Sequence, residues 1–158
     1  MIATSHEDSN EESVNFFAMN QFDHEKLDVY QIELRFIEWL TPLFEEVKNC
    51  GRAKTAEVCD QLDRASLSAL LNTAEGNGKR QRPVRAKFFD DARGSATECA
   101  ACLDALVAKG ACATGRVQEG KQLLLRVVSM LSKLVSLYGE GQLREDPVEY
   151  GKGEEIPV

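Results

Sequence analysis

The chain of 158 residues contains only two histidines, His6 and His24. Both lie towards the N-terminal end, so no Ser/His/Asp or Cys/His triad can be proposed. No apolar run approaches the roughly 18 residues that indicate a membrane span. Residues 1–13 lack the basic start and apolar segment of a signal peptide. We therefore expect a cytoplasmic protein with no membrane contact, no enzymatic activity and no cofactor.

The five cysteines do not indicate a disulfide scaffold, because their number is odd and no secretion signal precedes them. Cys99 and Cys102 form a CxxC motif. A structural zinc site usually takes four ligands as two such pairs, and a thioredoxin-like motif needs a preceding strand. We therefore predict that both cysteines pack in a helical core and that the chain has no metal site.

Negative charge is concentrated at the two ends of the chain. The net charge is −7, yet residues 1–22 contain four acidic residues and no basic residue, and residues 139–158 contain six acidic and two basic residues. Polar ends that carry one sign of charge are typically solvated and disordered. We predict an acidic N-terminal extension over residues 1–22, a folded domain over 23–138 and an acidic C-terminal tail over 139–158.

The central part of the chain repeats apolar residues every three or four positions and shows no strand-like alternation. This pattern predicts four helices, at Glu25–Cys50, Thr55–Glu75, Pro83–Gly110 and Thr114–Gly139. Pro42 predicts a kink or a break near Thr41, and Gly51 suits the position after a helix end. Four helices joined by short loops favour an all-α, up-down-up-down four-helix bundle.

The apolar stripes predict the residues of the core. The first helix contributes Tyr30, Leu34, Ile37, Leu40, Phe44 and Val47, with Trp39 also assigned to the core. The third helix contributes Phe88, Ala92, Cys99 and Leu106, and the fourth contributes Val117, Leu124, Val127, Leu131, Leu134 and Tyr138.

The second helix has two apolar faces, whereas a bundle monomer needs one buried stripe per helix. One face consists of Val58, Leu62, Ala65, Ala69 and Thr73. The other consists of Leu67, Leu71 and Ala74 and lies about 140° round the helix. A second apolar face predicts contact with another subunit, so these three residues are candidate oligomer-interface residues. The alternative is that they are scattered surface residues.

The stretch AEGNGKRQRP, residues 74–83, joins the second and third helices. A P-loop would need a preceding strand and a GxxxxGK[ST] pattern, and neither is present. Helix-end chemistry explains the glycines: Gly76 is predicted to end the helix in a left-handed turn, and Asn77-Gly78 to support positive φ. Pro83 is predicted to start the next helix. Glu75 is predicted to fasten the loop through Lys79, Arg80 or Arg82, or through backbone amides at the start of the third helix.

Five basic residues crowd this end of the predicted bundle: Lys79, Arg80, Arg82, Arg85 and Lys87. Such a patch can bind phosphates, so these residues are candidate nucleic-acid contacts. The patch lacks the interleaved surface aromatics of a protein that binds single strands. A solvated surface or a contact with a protein partner is the alternative.

Three stretches carry a family resemblance: LDVYQIEL (27–34), QLDRASLSALLNTAEGNGKR (61–80) and KFFDDARGSATECAACL (87–103). In them the chain resembles the 23S rRNA intervening-sequence protein family, small bacterial four-helix bundle proteins. The resemblance implies an all-α bundle and a ring-like homo-oligomer, with pentamers seen among relatives, and implies no enzymatic activity. A related group, the accessory proteins of diversity-generating retroelements, binds nucleic acid and a reverse transcriptase. Asp63 and Leu70 depart from the family pattern, which often has Arg and Pro there.

The resemblance also singles out a polar stripe that runs along the second helix and continues on the third, formed by Arg64, Ser68, Asn72, Glu75, Ser95 and Glu98. Buried polar groups must pair, and an Arg64–Glu98 or Arg80–Glu75 pair would satisfy several of them. We predict a structural network that fixes helix register or a subunit contact, with an active site or a metal site on Glu75, Glu98 and the CxxC motif as the alternative.

The predicted function is a non-enzymatic, homo-oligomeric scaffold or adaptor. The alternative function is a bundle that binds RNA or a ribonucleoprotein.

Overall fold

The computed structural model describes residues 21–51 and 54–139, and this part of the chain is helical and contains no strand. A single 3-10 turn at Asp23–Lys26 precedes four helices: α1 at Asp28–Asn49, α2 at Ala56–Gly78, α3 at Arg82–Ala108 and α4 at Thr114–Gly139. The predicted all-α, four-helix fold is confirmed. The predictions for residues 1–20 and 140–158 lie outside the described residues.

Each helix packs against two others, so the four form a closed ring around one core. Helix α1 lies against α2 and α4, and α3 lies against α2 and α4. The connections between consecutive helices are short, which makes neighbouring helices antiparallel. The largest fully buried side chains come from all four helices: Leu40, Leu43, Leu62, Phe89, Leu103, Leu106, Val117, Val127 and Leu131.

The buried face of α1 differs from the predicted stripe. The buried residues of this helix are Val29, Ile32, Glu33, Phe36, Leu40, Leu43 and Val47. Tyr30, Leu34 and Ile37, which the pattern assigned to the core, are only half-buried. The helix has two overlapping apolar stripes, and the stripe that faces the core contains a glutamate. In α3 the core position belongs to Phe89, which is 1% exposed, while the predicted Phe88 is half-buried.

Helix α1 runs without interruption across Pro42, so of the two predicted alternatives the break does not occur. Gly51 follows the helix with a φ of +65°, which confirms its predicted role. A second left-handed glycine, Gly110 at φ +70°, ends α3. There the N–H groups of Gly110 and Ala111 donate to the carbonyls of Val107 and Leu106, both at 2.9 Å. This is the paired bonding of a Schellman motif, and it satisfies carbonyls at the end of the helix.

Gly76 does not end α2 in a left-handed turn, and Asn77-Gly78 does not adopt positive φ. The helix continues to Gly78, and the positive-φ residues of the described chain are Gly51, Lys54 and Gly110. A Cβ added at Gly76 would lie 2.8 Å from the Cβ of Phe88 and 3.3 Å from the ring of Phe89. The glycine is therefore required because α3 approaches the α2 backbone closely, and not because of its conformational freedom.

On the other side of the bundle, α1 and α4 meet through Trp39 and Gly120. A Cβ on Gly120 would overlap the indole ring, so this glycine makes room for the tryptophan. The Arg116 guanidinium lies 5.2 Å from the ring centroid of Trp39 and forms two hydrogen bonds with the Glu46 carboxylate, at 2.7 and 2.9 Å. Trp39 is half-buried and packs against the core, which agrees with its predicted place.

Candidate functional site

A hydrogen bond between Ser68 and Ser95 joins α2 to α3, and Asn72 supports it from within α2. The hydroxyls of Ser68 and Ser95 lie 2.9 Å apart, and the side-chain amide of Asn72 donates to both the carbonyl and the hydroxyl of Ser68, at 2.9 and 3.2 Å. Ser95 can also donate to the Asp91 carbonyl one turn earlier, at 3.1 Å. Because Ser68 and Asn72 are four residues apart, both lie on the side of α2 that faces α3. We call Ser68, Asn72 and Ser95, together with Gln61, Arg64 and Glu98, the α2–α3 network.

The same network continues towards the start of α2 through Gln61. The Arg64 guanidinium donates to the Gln61 side-chain oxygen at 2.6 Å, and the Gln61 amide donates to the Glu98 carboxylate. Gln61 therefore stands between Arg64 and Glu98, which do not form the direct ion pair that the sequence predicted. Sequence reasoning did not include Gln61, although its place three residues before Arg64 puts it on the same side of the helix.

Glu75 lies apart from this network. Its carboxylate forms an ion pair at 2.8 Å with Lys79, four residues later, and not with Arg80. Of the three basic residues predicted as partners of Glu75, Lys79 is therefore the one that forms the ion pair. The two side chains are 54% and 35% exposed, so this is a surface pair of small energetic weight.

Arg85, one of the five predicted nucleic-acid contacts, is committed to the end of α2. Its guanidinium donates to the carbonyls of Gly76, at 3.2 Å, and Asn77, and it stacks 4.8 Å from the ring centroid of Tyr138 on α4. Carbonyls at the end of a helix lack intrahelical donors and carry partial negative charge, so a guanidinium there stabilises the helix. Arg85 is therefore a capping residue that ties together α2, α3 and α4.

The other basic residues of the loop differ in how far they are engaged. Arg82 donates to the Leu137 carbonyl and lies 5.1 Å from the Tyr138 ring, and Lys87 pairs with Asp91 at 2.7 Å. Arg80 is exposed and has no hydrogen bond or ion pair with any residue of the described chain. The positive charge that is free to meet a partner is thus much smaller than five basic residues suggest.

A buried carboxylate lies between α1 and α2, and sequence reasoning missed it. Glu33 is 3% exposed, and its Oε1 accepts a hydrogen bond of 2.8 Å from the hydroxyl of Thr73, which is fully buried. Its Oε2 is buried without a hydrogen-bond partner. Burial raises the pKa of Glu33 to about 7, although the bond from Thr73 opposes the rise. The signal was the spacing: Glu33 stands four residues after Val29 and three before Phe36, in the buried stripe.

The cysteines of the CxxC motif are part of the packed interior. Cys99 is fully buried and Cys102 packs against the core. Burial raises the pKa of Cys99 to about 12 and that of Cys102 in the same direction, which disfavours the reactive thiolate. Within residues 21–51 and 54–139, no group of three or more His, Cys, Asp or Glu side chains is placed to hold a metal ion.

The second apolar face of α2 is exposed in the single chain. Leu67 is 43% and Leu71 is 63% exposed, and Ala74 beside them is half-buried. The core of the bundle is complete without them, since the opposite side of α2 supplies Leu62, Ala65 and Ala69. We call Leu67, Leu71 and Ala74 the leucine face.

A cleft of about 610 Å³ lies between the end of α1 and the start of α2, lined in part by Phe44, Lys48, Cys59 and Asp63. Its charged groups come from both helices and include both signs. Burial raises the pKa of the Cys59 thiol, so this group is also held in its neutral form.

These features define a small all-α protein whose four antiparallel helices enclose one core. No helix of the described chain is both long and apolar enough to span a membrane. The sequence model of the 23S rRNA-intervening sequence protein family matches residues 25–133, which is more than half of the chain, and the protein belongs to this family. No curated protein matches the chain significantly, and no solved structure does so.

Proposed function

We propose that the protein is a homo-oligomeric four-helix bundle that acts as a scaffold or adaptor in the cytoplasm and performs no chemistry of its own. The observation that carries this proposal is the leucine face on a bundle whose core is already complete. Burying an apolar side chain of this size contributes roughly 1.5–3 kcal/mol, so the two exposed leucines favour self-association. The α2–α3 network supports it, because a rigid helix pair presents the face in one fixed shape.

Light scattering coupled to size exclusion tests this proposal. At micromolar concentration we expect a single species with several times the mass of one chain, and the family resemblance favours five copies. A single-chain mass at this concentration would contradict the proposal. The state of assembly of a variant that lacks residues 1–20 and 140–158 shows whether the described bundle is sufficient.

RNA binding is the second candidate, and two observations favour it: the free guanidinium of Arg80 at the loop between α2 and α3, and the rRNA association in the family's name. The structure changes which variants can test it. Arg85→Glu would remove a cap from α2 and confuse binding with stability. Arg80 and Lys87 are exposed and lie outside that cap.

The test is binding of a structured RNA by Arg80→Glu/Lys87→Glu and by the unchanged protein, measured over a range of salt. RNA binding predicts a steep loss of affinity with salt and a further loss in the double variant. Lys109→Glu, the same kind of charge change at an exposed position just after the far end of α3, serves as the control. Equal affinity for the double variant, or no binding at low salt, would eliminate this candidate.

A further inference from the structure

A second unused apolar surface lies in the groove between α3 and α4. Leu125 is 67% exposed there, the most exposed leucine of the described chain. Together with Val128 of α4 and Ala100 of α3 it lines a groove of about 360 Å³. Thr97, Gln118 and Lys121 form its margin, with Lys121 paired to Asp104 at 2.5 Å. We call this the α3–α4 groove.

The leucine face and the α3–α4 groove lie on different sides of the bundle. Helices α2 and α4 occupy opposite corners of the ring, since each packs against α1 and α3. The leucine face points away from the core side of α2, which faces inward with Leu62 and Ala65. Two apolar surfaces on different sides of one protomer can both be buried when one copy presents its first surface to the second surface of the next.

The charges of the two helices match this arrangement. Helix α2 contains four acidic residues and one basic residue, Glu57, Asp60, Asp63, Glu75 and Arg64. Helix α4 contains four basic residues and one acidic residue, Arg116, Lys121, Arg126, Lys133 and Glu119. The two helices thus carry net charges of −3 and +3. Glu75, Arg116 and Lys121 are already paired within the protomer. The charges left to meet another copy are chiefly Glu57, Asp60 and Asp63 on α2 and Arg126 and Lys133 on α4. Opposite charge favours the approach of α2 to α4 of another copy and disfavours α2 against α2, where like charges would meet.

We propose that the leucine face of one copy docks in the α3–α4 groove of a second copy, so that assembly proceeds head to tail. This inference rests on the proposed homo-oligomer and names the two surfaces that build it. Leu67 and Leu71 of one copy pack against Leu125 and Val128 of the next, with Asp60 and Asp63 towards the basic side of α4. Such a heterologous contact leaves both end surfaces available and forms a closed ring when the rotation per copy allows it.

Two single variants test the pairing, Leu71→Glu on the leucine face and Leu125→Glu in the groove. Both positions are exposed and helical, and glutamate is a good helix former, so the fold is retained and circular dichroism verifies it. Each variant alone should lose the oligomer and run at the mass of one chain. An equimolar mixture should form a species of two chains, because the intact leucine face of one variant still fits the intact groove of the other.

The matched control is Leu137→Glu, a comparably exposed leucine on α4 that lies about 120° round the helix from Leu125. It should assemble like the unchanged protein. If Leu125→Glu assembles normally while Leu71→Glu does not, the groove is not the docking surface and the pairing is wrong, although the homo-oligomer stands. A mixture that stays at single-chain mass also overturns the pairing. A single-chain mass for the unchanged protein refutes the proposed function itself.

Discussion

Two of the polar contacts that helix α2 makes with its neighbours have nearly equal lengths, and their surroundings differ sharply. Towards α1, the Thr73 hydroxyl donates to Glu33 at 2.8 Å in the closed interior. Towards α3, the hydroxyls of Ser68 and Ser95 lie 2.9 Å apart in a half-exposed groove. Bond length is therefore a poor guide to what each contact contributes. The surroundings decide whether water can replace a lost partner.

The two contacts also differ in whether a polar atom remains without a hydrogen-bond partner. In the contact between α2 and α3, each serine and Asn72 has a protein partner and is half-exposed, so water can reach it, and none of the three carries a charge. In the buried contact, one oxygen of Glu33 has no partner and the group can ionise. An ionised carboxylate in an apolar interior is costly, so the folded state favours the protonated form.

The largest effect is expected from Glu33→Gln. The folded-state pKa of Glu33 is about 7 and its ordinary value is 4.5, so the folded protein keeps a proton that the unfolded chain releases. The free energy of unfolding should therefore fall by about 3 kcal/mol as the pH rises from about 4.5 to 7 and change little from this group above that. Glu33→Gln should remove this fall and be the more stable protein at pH 8.

Denaturant melts of the two proteins at pH 5, 6, 7 and 8 check this expectation. Glu38→Gln, at an exposed position of the same helix, is the matched control and should follow the unchanged protein. Parallel stability profiles for Glu33→Gln and the unchanged protein would contradict the assignment of a raised pKa to Glu33.

A smaller effect is expected from Thr73→Val, which keeps the volume of the side chain and removes the hydroxyl. Both oxygens of Glu33 then lack a donor, which should cost about 1–3 kcal/mol and most above pH 7, where the carboxylate is charged. Because the Thr73 bond lowers the pKa of Glu33, the midpoint of the stability profile should move to higher pH. Thr41→Val, which removes an exposed hydroxyl on α1, should leave the midpoint unchanged.

Changes to the half-exposed contact between Ser68 and Ser95 should have smaller effects on the free energy of unfolding. Ser68→Ala and Ser95→Ala should each reduce the free energy of unfolding by roughly 0.5–1.5 kcal/mol, since water can satisfy the remaining hydroxyl. The double variant should cost less than the sum of the two single changes, because each single change already removes the same bond between Ser68 and Ser95. Strict additivity in chemical denaturation would show that the two hydroxyls do not interact.

The smallest effect is expected from Glu75→Gln, which removes the ion pair with Lys79. Both side chains are partly exposed, so the loss should be below about 1 kcal/mol and should shrink at high salt. Thermal melts at low and high salt check it. A loss as large as that of Thr73→Val would mean that the loop depends on this pair.

The four helices and their order could be predicted because apolar spacing and short connections dictate them with little ambiguity. The buried face of α1 could not, because two stripes overlap on this helix and the correct one contains Glu33. Hydrophobic pattern alone favours the stripe without a charge. Only the packed neighbours, Thr73 above all, reveal that the carboxyl group lies inside.

The pairings of the polar side chains on α2 and α3 could not be predicted from the sequence. Spacing places Ser68 and Asn72 on one side of a helix, but it does not show that Gln61 comes between Arg64 and Glu98. The structural role of Gly76 could not be predicted from the sequence either. Glycine serves both left-handed turns and close helix approach, and a sequence does not distinguish the two uses when a loop follows within a few residues.

The link between α2 and α3 is only three residues long, 79–81, and Gly76 allows the two helices to pack closely. Both features affect the order in which the helices come together during folding. Closing a loop of so few residues sacrifices little chain entropy, and the contacts that it permits are close in sequence. We therefore expect the α2–α3 hairpin to form early and α1, whose contacts with α4 span most of the domain, to join late. In such an order the carboxyl group of Glu33 leaves water only in the final docking step.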